Sequence, residues 1–185
     1  MQQPQTDHAY LVALPGGTLY DFQVEGLQFI HALHGNAIIG DERGLGKTAE
    51  ALAWLYYQPK LRPAIIACPA PVKLQWLRET IRWLGENPAN ITVVKGKKKR
   101  TFDTPITIIN YDILGAHFQA LQAIQPKLII FDEIQRVKSK GAQRSKAAAS
   151  LAHTPSVRSR VGLTGTMFLN RPREGWHQVH CINPY

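Results

Sequence analysis

Cysteine is nearly absent. Cys68 and Cys181 are the 2 thiols in 185 residues, too few for a disulfide framework, so a reducing interior is the expected setting. No apolar run approaches the ~20 residues that a membrane-spanning helix needs. The N-terminus, Met-Gln-Gln-Pro-Gln-Thr-Asp, lacks the charged-then-apolar order of a signal peptide. The 7 histidines are scattered, and no His/Cys group has metal-ligand spacing. There is no internal repeat and no low-complexity segment. Acid is also scarce: 13 Asp and Glu face 22 Lys and Arg, a net charge of +9. An excess of that size favours a polyanionic partner, nucleic acid first.

What is present is a globular pattern. The length suits one domain of ordinary size, and 44% hydrophobic residues can fill its core. Residues 1–18 read as a loosely ordered lead-in. Phe22, Leu27, Ile30 and Leu33 then recur at helical spacing between Asp21 and His34. Apolar strands are expected at Ala37–Gly40, Ala64–Cys68, Ile91–Val94, Ile106–Ile109, Leu128–Phe131 and Val161–Leu163. Helical patterns lie between them: Ala49–Leu55, Leu74–Leu84, Leu114–Ile124 and Arg144–Ala152. A last helix is expected to start near Pro172. Trp76 and Trp83 fall on or near the apolar face of the second of these helices, where core packing is the favoured reading. Apolar strands alternating with helices specify an α/β fold with a mainly parallel sheet covered on both faces. Ligands in such folds bind beyond the carboxyl ends of the strands. Asp41, Pro69, Asn110, Asp132 and Thr164 all stand at such ends.

The strongest local pattern is Asp41-Glu42-Arg43-Gly44-Leu45-Gly46-Lys47-Thr48, set between a strand and a helix. Glycines let backbone N–H groups turn inward around phosphate, and the helix N-terminus adds free N–H groups and partial positive charge. Lys47 is placed to reach β and γ phosphates, and Thr48 to hold Mg²⁺ through its hydroxyl. One position departs from the general phosphate-loop pattern: Asp41 stands where it has glycine. Asp132-Glu133, after an apolar strand, is the usual partner of such a loop. Asp132 is expected to hold Mg²⁺, and Glu133 to orient and deprotonate the attacking water. Lys47, Asp132 and Glu133 are thus the catalytic candidates.

Two basic stretches stand out. Lys95-Gly96-Lys97-Lys98-Lys99-Arg100 fits a solvated turn and a phosphate contact equally well. From Ile134 to Arg173 there are nine Lys or Arg, among them Arg136, Lys138, Arg144 and Arg171, and no Asp or Glu. An acid-free run that long, next to the acidic pair, suggests sequence-independent contact with a phosphate backbone.

Taken in order, these motifs resemble the Swi/Snf-type ATPases, a branch of the superfamily-two helicases. Asp-Glu-x-Gly-Leu-Gly-Lys-Thr is that family's phosphate loop, so Asp41 becomes a signature. Leu19-Tyr20-Asp21-Phe22-Gln23, with Gly26, resembles its adenine-reading Gln motif. Cys68-Pro69 with Trp76 and Glu79 resembles motif Ia, and Asn110-Tyr111-Asp112 stands where motif Ib does. Asp132-Glu133-Ile134-Gln135 and its basic extension resemble the Asp-Glu-x-His box, with Gln135 in place of His. Leu163-Thr164-Gly165-Thr166 resembles motif III, with Met167 replacing the usual Pro. Arg171-Pro172-Arg173-Glu174, Gln178 and Asn183-Pro184 look most like the annealing-helicase branch.

The resemblance implies a RecA-like phosphate-loop NTPase lobe over residues 19–185. Its ATP site would comprise Gln23, Asp41, Gly44, Leu45, Gly46, Lys47 and Thr48, with Mg²⁺ on Thr48 and Asp132. Coupling would pass through Gln135, Thr164, Gly165 and Thr166. DNA, double-stranded and read without regard to sequence, would meet Pro69, Lys73, Asn110, Tyr111, Arg136 and Lys138. The family motor has a second RecA-like lobe that supplies arginine fingers. None is expected within these residues, so an isolated lobe should be nearly inactive. The implied setting is intracellular, nuclear in a eukaryote and cytoplasmic otherwise. A stand-alone basic nucleic-acid-binding module with the same fold is the competing expectation; a small phosphate-loop kinase fits poorly, since nothing between Thr48 and Asp132 resembles a phosphoryl lid.

Overall fold

The structure, a computed structural model, describes residues 13–42, 44–98, 101–137, 142–165 and 178–183. Six strands form one parallel sheet: β3 (Asn36–Ile39), β4 (Ala64–Cys68), β5 (Ile91–Val93), β6 (Ile106–Asn110), β7 (Leu128–Asp132) and β8 (Ser159–Leu163). Their spatial order is β3-β8-β7-β4-β6-β5. The central strands are buried along their whole length or nearly so, which is why they read as unbroken apolar runs rather than alternating ones.

Side chains still alternate between the two faces. Ile66, Ile108 and Ile130 pack with α1 (Asp21–Ala32), α2 (Lys47–Tyr57) and α3 (Lys73–Leu84). Ile65, Ile109, Ile129 and Phe131 pack on the other side with α4 (Leu114–Ala123) and α5 (Gln143–Ala152). Cys181 and Ile182, from the helical stretch 178–182, join this second core. The expected start of the last helix, near Pro172, lies outside the described residues.

The lead-in differs from expectation. Residues 13–18 form a two-stranded antiparallel hairpin, β1 (Ala13–Leu14) and β2 (Gly17–Thr18). It is seated on the end of α3: a β-carbon on Gly16 would meet the Arg82 carbonyl oxygen at 2.6 Å. Tyr57 adds a tie by donating its hydroxyl to the Ala13 carbonyl at 2.9 Å.

Because the sheet is parallel, Gly40, Pro69, Asn110, Asp132 and Thr164 share one edge. Parallel pairing aligns them directly: Cys68 lies opposite Asn110, and Asp132 opposite Leu163.

Candidate nucleotide site

The loop between β3 and α2 depends on two glycines. Gly44 has φ 91° and Gly46 φ 81°, conformations that cost L-residues with a side chain but not glycine. Gly46 has a second reason: a β-carbon there would overlap the Gln23 side-chain amide. Lys47 folds back over the loop. Its Nζ donates to the carbonyls of Asp41 at 2.6 Å and Glu42 at 2.7 Å. Its charge is thus held above the turn by backbone oxygens.

Gln23 is buried at 5% exposure. Its Oε1 accepts from the Tyr20 N–H at 3.0 Å, satisfying the backbone donor at the N-cap of α1. Its Nε2 donates to the Leu45 carbonyl at 3.0 Å. The residue therefore links the first turn of α1 to the phosphate loop, and keeps one N–H and one lone pair for a further partner.

Across the sheet edge stands the acidic pair. Trp76 Nε1 donates to Asp132 Oδ2 at 2.8 Å, and the Tyr111 hydroxyl donates to the Asp132 carbonyl at 2.7 Å. Burial pushes the Asp132 carboxyl above its ordinary range; the indole hydrogen bond opposes that, and the neighbouring Glu133 charge adds to it. Glu133 itself has φ 51°, a left-handed conformation that is costly for a non-glycine residue and concentrated at functional sites. Gln135 Nε2 donates to Glu133 Oε2, and Gln135 Oε1 accepts from Thr164 Oγ1 at 2.8 Å. Thr164, Gln135 and Glu133 form one chain of hydrogen bonds between the ends of β8 and β7.

These groups surround one cleft of about 510 Å³, lined by Gln23, Gly44, Gly46, Lys47, Thr48, Asp132, Glu133, Thr164 and Gly165. Its far wall is a single face of α3: Gln75, Trp76, Glu79, Arg82 and Trp83. Arg82 lies 5.0 Å above the Trp83 ring, and Trp83 Nε1 donates to Glu79 at 2.8 Å. Sequence reasoning assigned Trp76 and Trp83 to the core. Trp76 is indeed 2% exposed, but its polar edge reaches the acidic pair 56 residues away in sequence, a link no helical periodicity could signal.

The remaining expected residues divide. Asp41 and Leu45 belong to the phosphate loop but line a different cleft, with Phe22, Gly26 and Phe29; Asp41 serves the loop through its carbonyl. Of the expected DNA contacts, Asn110 at 6% and Tyr111 at 2% exposure are buried, as is Pro69. Lys73 is half-buried, with Nζ donating to Val94 O at 2.8 Å and Asn110 Oδ1 at 2.9 Å. Asn110 and Tyr111 brace the strand ends, Asn110 by accepting from Lys73 and Tyr111 by donating to the Asp132 carbonyl. Arg136 is exposed. Lys138 and Thr166 lie outside the described residues.

Glu50 was not anticipated. It is fully buried on α2 against Gly26 of α1, where a β-carbon would overlap its carboxyl. Burial, followed by the charge of Asp41, pushes its pKa up to about 8.

The donor set suits a hard divalent cation. Thr48 and Asp132 both offer oxygen to the cleft, and a carboxylate keeps acceptor capacity beyond one indole N–H. Among the described residues no cluster of three or more His, Cys, Asp or Glu is placed to hold a metal. An ion held by one carboxylate and one hydroxyl needs phosphate and water as its other ligands, which is the mode Mg²⁺ favours. Among the described residues no helix is long and apolar enough to cross a membrane.

A parallel sheet with a glycine loop at its carboxyl edge is the architecture of RecA-like ATPase lobes. The fold matches that of the Sulfolobus solfataricus SWI2/SNF2 ATPase core in complex with dsDNA, with a TM-score of 0.77 and 24% identity over 94% of this chain and 37% of that one. The chain belongs to the SNF2-related domain family, whose model matches residues 22–185. It is 31% identical over 173 residues to the human DNA annealing helicase and endonuclease ZRANB3, covering 90% of this chain and 16% of that protein. It is likewise 31% identical over 169 residues to the Xenopus laevis SWI/SNF-related matrix-associated actin-dependent regulator of chromatin subfamily A-like protein 1, covering 91% of this chain and 17% of that protein. The chain therefore spans less than a fifth of the curated relatives it matches. The resemblance read from the motifs, including its annealing-helicase leaning, agrees with these matches.

Proposed function

We propose that this chain is the ATP-binding lobe of a DNA-dependent ATPase that moves along duplex DNA when joined to a second lobe of the same kind. The observation that carries this reading is the convergence of Lys47, Thr48, Asp132, Glu133 and Thr164 on one cleft. In the bound state Lys47 exchanges the Asp41 and Glu42 carbonyls for β and γ phosphate oxygens. The Gly44 and Gly46 turn and the N-terminus of α2 present backbone N–H groups to the phosphates. Gln23 offers its remaining donor and acceptor to the adenine edge. The chemistry a Mg²⁺ ion held by Thr48 and Asp132 supplies is neutralisation of charge on the β and γ phosphates. Glu133, oriented by Gln135, accepts the proton of the water that attacks the γ phosphorus.

Thr164 and Gln135 tie Glu133 to the end of β8, so a shift of the segment after β8 would move the base. This is the route by which DNA contact would be felt at the site. Exposed Arg136 and the basic stretch that follows it supply charge suited to a phosphate backbone. Charge stabilisation in phosphoryl transfer also needs arginines from a facing lobe, so the chain alone should turn ATP over very slowly. Joined to a second lobe, it should show hydrolysis stimulated by duplex DNA and abolished by Lys47→Ala. Turnover that survived that substitution would defeat the assignment. Duplex binding without any nucleotide binding would instead favour a stand-alone binding module.

A further inference from the structure

We propose that Trp76 is a positioning residue for the metal-binding carboxylate: its indole N–H fixes Asp132 so that the carboxyl group meets a nucleotide-bound Mg²⁺ ion without reorganising. The proposal rests on the reading of the cleft as an ATP site.

The geometry is specific. Trp76 Nε1 lies 2.8 Å from Asp132 Oδ2. The ring is 2% exposed and packed in the core shared by α1, α2 and α3, so the donor has little freedom to turn away. A buried indole N–H needs an acceptor, and Asp132 provides it. With Oδ2 engaged by Trp76 and the backbone carbonyl held by Tyr111 at 2.7 Å, the end of β7 is gripped on both its side-chain and main-chain oxygens. Outer-shell partners of this kind orient metal ligands, and their loss typically weakens metal affinity roughly 10- to 100-fold.

Trp76 also sits one turn along α3 from Lys73, whose Nζ bonds Asn110 Oδ1 at 2.9 Å. The same helix thus holds the ends of β6 and β7. A tilt of α3 would be transmitted to Asp132 through a single hydrogen bond.

The test is calorimetric titration of the 185-residue chain with a non-hydrolysable ATP analogue, once with Mg²⁺ and once with EDTA. The readout is the ratio of the two dissociation constants. In Trp76→Phe, which keeps an aromatic ring and removes the donor, the Mg²⁺ advantage should fall roughly tenfold. A merely structural defect would weaken both affinities and leave the ratio alone. A folded Trp76→Phe chain with an unchanged ratio would overturn the positioning role while leaving the nucleotide site standing. A wild-type chain that binds no analogue under either condition would overturn the proposal together with the reading beneath it. If Trp76→Phe does not fold, the assigned indole ¹H–¹⁵N resonance of Trp76 in the wild-type chain decides. It should shift when Mg²⁺ is added to the analogue complex, and an unmoved resonance would overturn the proposal.

Discussion

Thr164 Oγ1 donates to Gln135 Oε1 across 2.8 Å, joining the end of β8 to the turn that follows β7. Gln135 passes the contact to Glu133. A neutral hydrogen bond contributes about 0.5–1.5 kcal/mol to stability. A double-mutant cycle of Thr164→Val and Gln135→Ala, followed by urea unfolding, should return a coupling energy of that size. A cycle that closes to zero would show that the two side chains act independently. In a two-lobed assembly the same substitutions should lower DNA-stimulated turnover more than nucleotide affinity.

Gln23 holds the phosphate loop and keeps a free donor and acceptor toward the cleft. Groups built to hydrogen-bond a substrate reject analogues that leave them unpaired. The chain should therefore prefer ATP to GTP in competition binding, and Gln23→Ala should reduce that preference to about threefold or less. A preference that survives the substitution would place base recognition elsewhere.

Glu50 carries a pH dependence whose sign follows from its burial. The ordinary pKa is 4.5 and the folded value about 8. Between those values the folded chain keeps the proton and the unfolded chain releases it. Stability from this group is full below about pH 4.5 and is lost as pH rises to about 8. The effect is of the order of a few kcal/mol. Glu50→Gln should flatten this part of the stability profile and raise the melting temperature most at the alkaline end. A profile with the same slope in the variant would mean that another group is responsible.

Ser159 is 1% exposed and bridges two buried groups. It accepts from Trp54 Nε1 at 2.9 Å and donates to the Gly35 carbonyl at 2.7 Å. Ser159→Ala orphans the Trp54 indole N–H, at about 1–3 kcal/mol for a buried unsatisfied group, while the Gly35 carbonyl keeps the Arg160 N–H at 2.8 Å. The urea midpoint should drop accordingly with the slope unchanged. A shift under about 0.5 kcal/mol, the scale of an ordinary surface change, would argue that water replaces the hydroxyl.

Most of the sheet was legible because buried parallel strands leave runs of apolar and β-branched residues, as in Ile106–Ile109 and Leu128–Phe131. The phosphate loop was legible because Gly46, Lys47 and Thr48 are each required by local chemistry. What stayed hidden depends on contacts between distant segments. The hairpin at residues 13–18 has strands of 2 residues, too short for a period, and it is seated on the Arg82–Trp83 end of α3. Trp76 shows an apolar face to any helical pattern, while its function lies in a single N–H. Glu50 resembles an exposed helix residue, yet α2 is buried from Ala49 to Leu55. Tyr111 and Asn110 occupy the strand-end position that suggests a ligand, and packing turned them inward.

Among the described residues, the strand that leads into the phosphate loop pairs with β8 alone. The partners are far apart in the chain: Gly35 and Ser159 are separated by 124 residues. During synthesis on a ribosome, the segment bearing Gly46 and Lys47 must therefore wait for β8 to emerge before it gains its ladder. Such non-local pairing is slow. A nascent product halted before Ser159 would carry every phosphate-loop residue and no sheet edge to hold them, so competence to bind nucleotide would report that translation had passed β8.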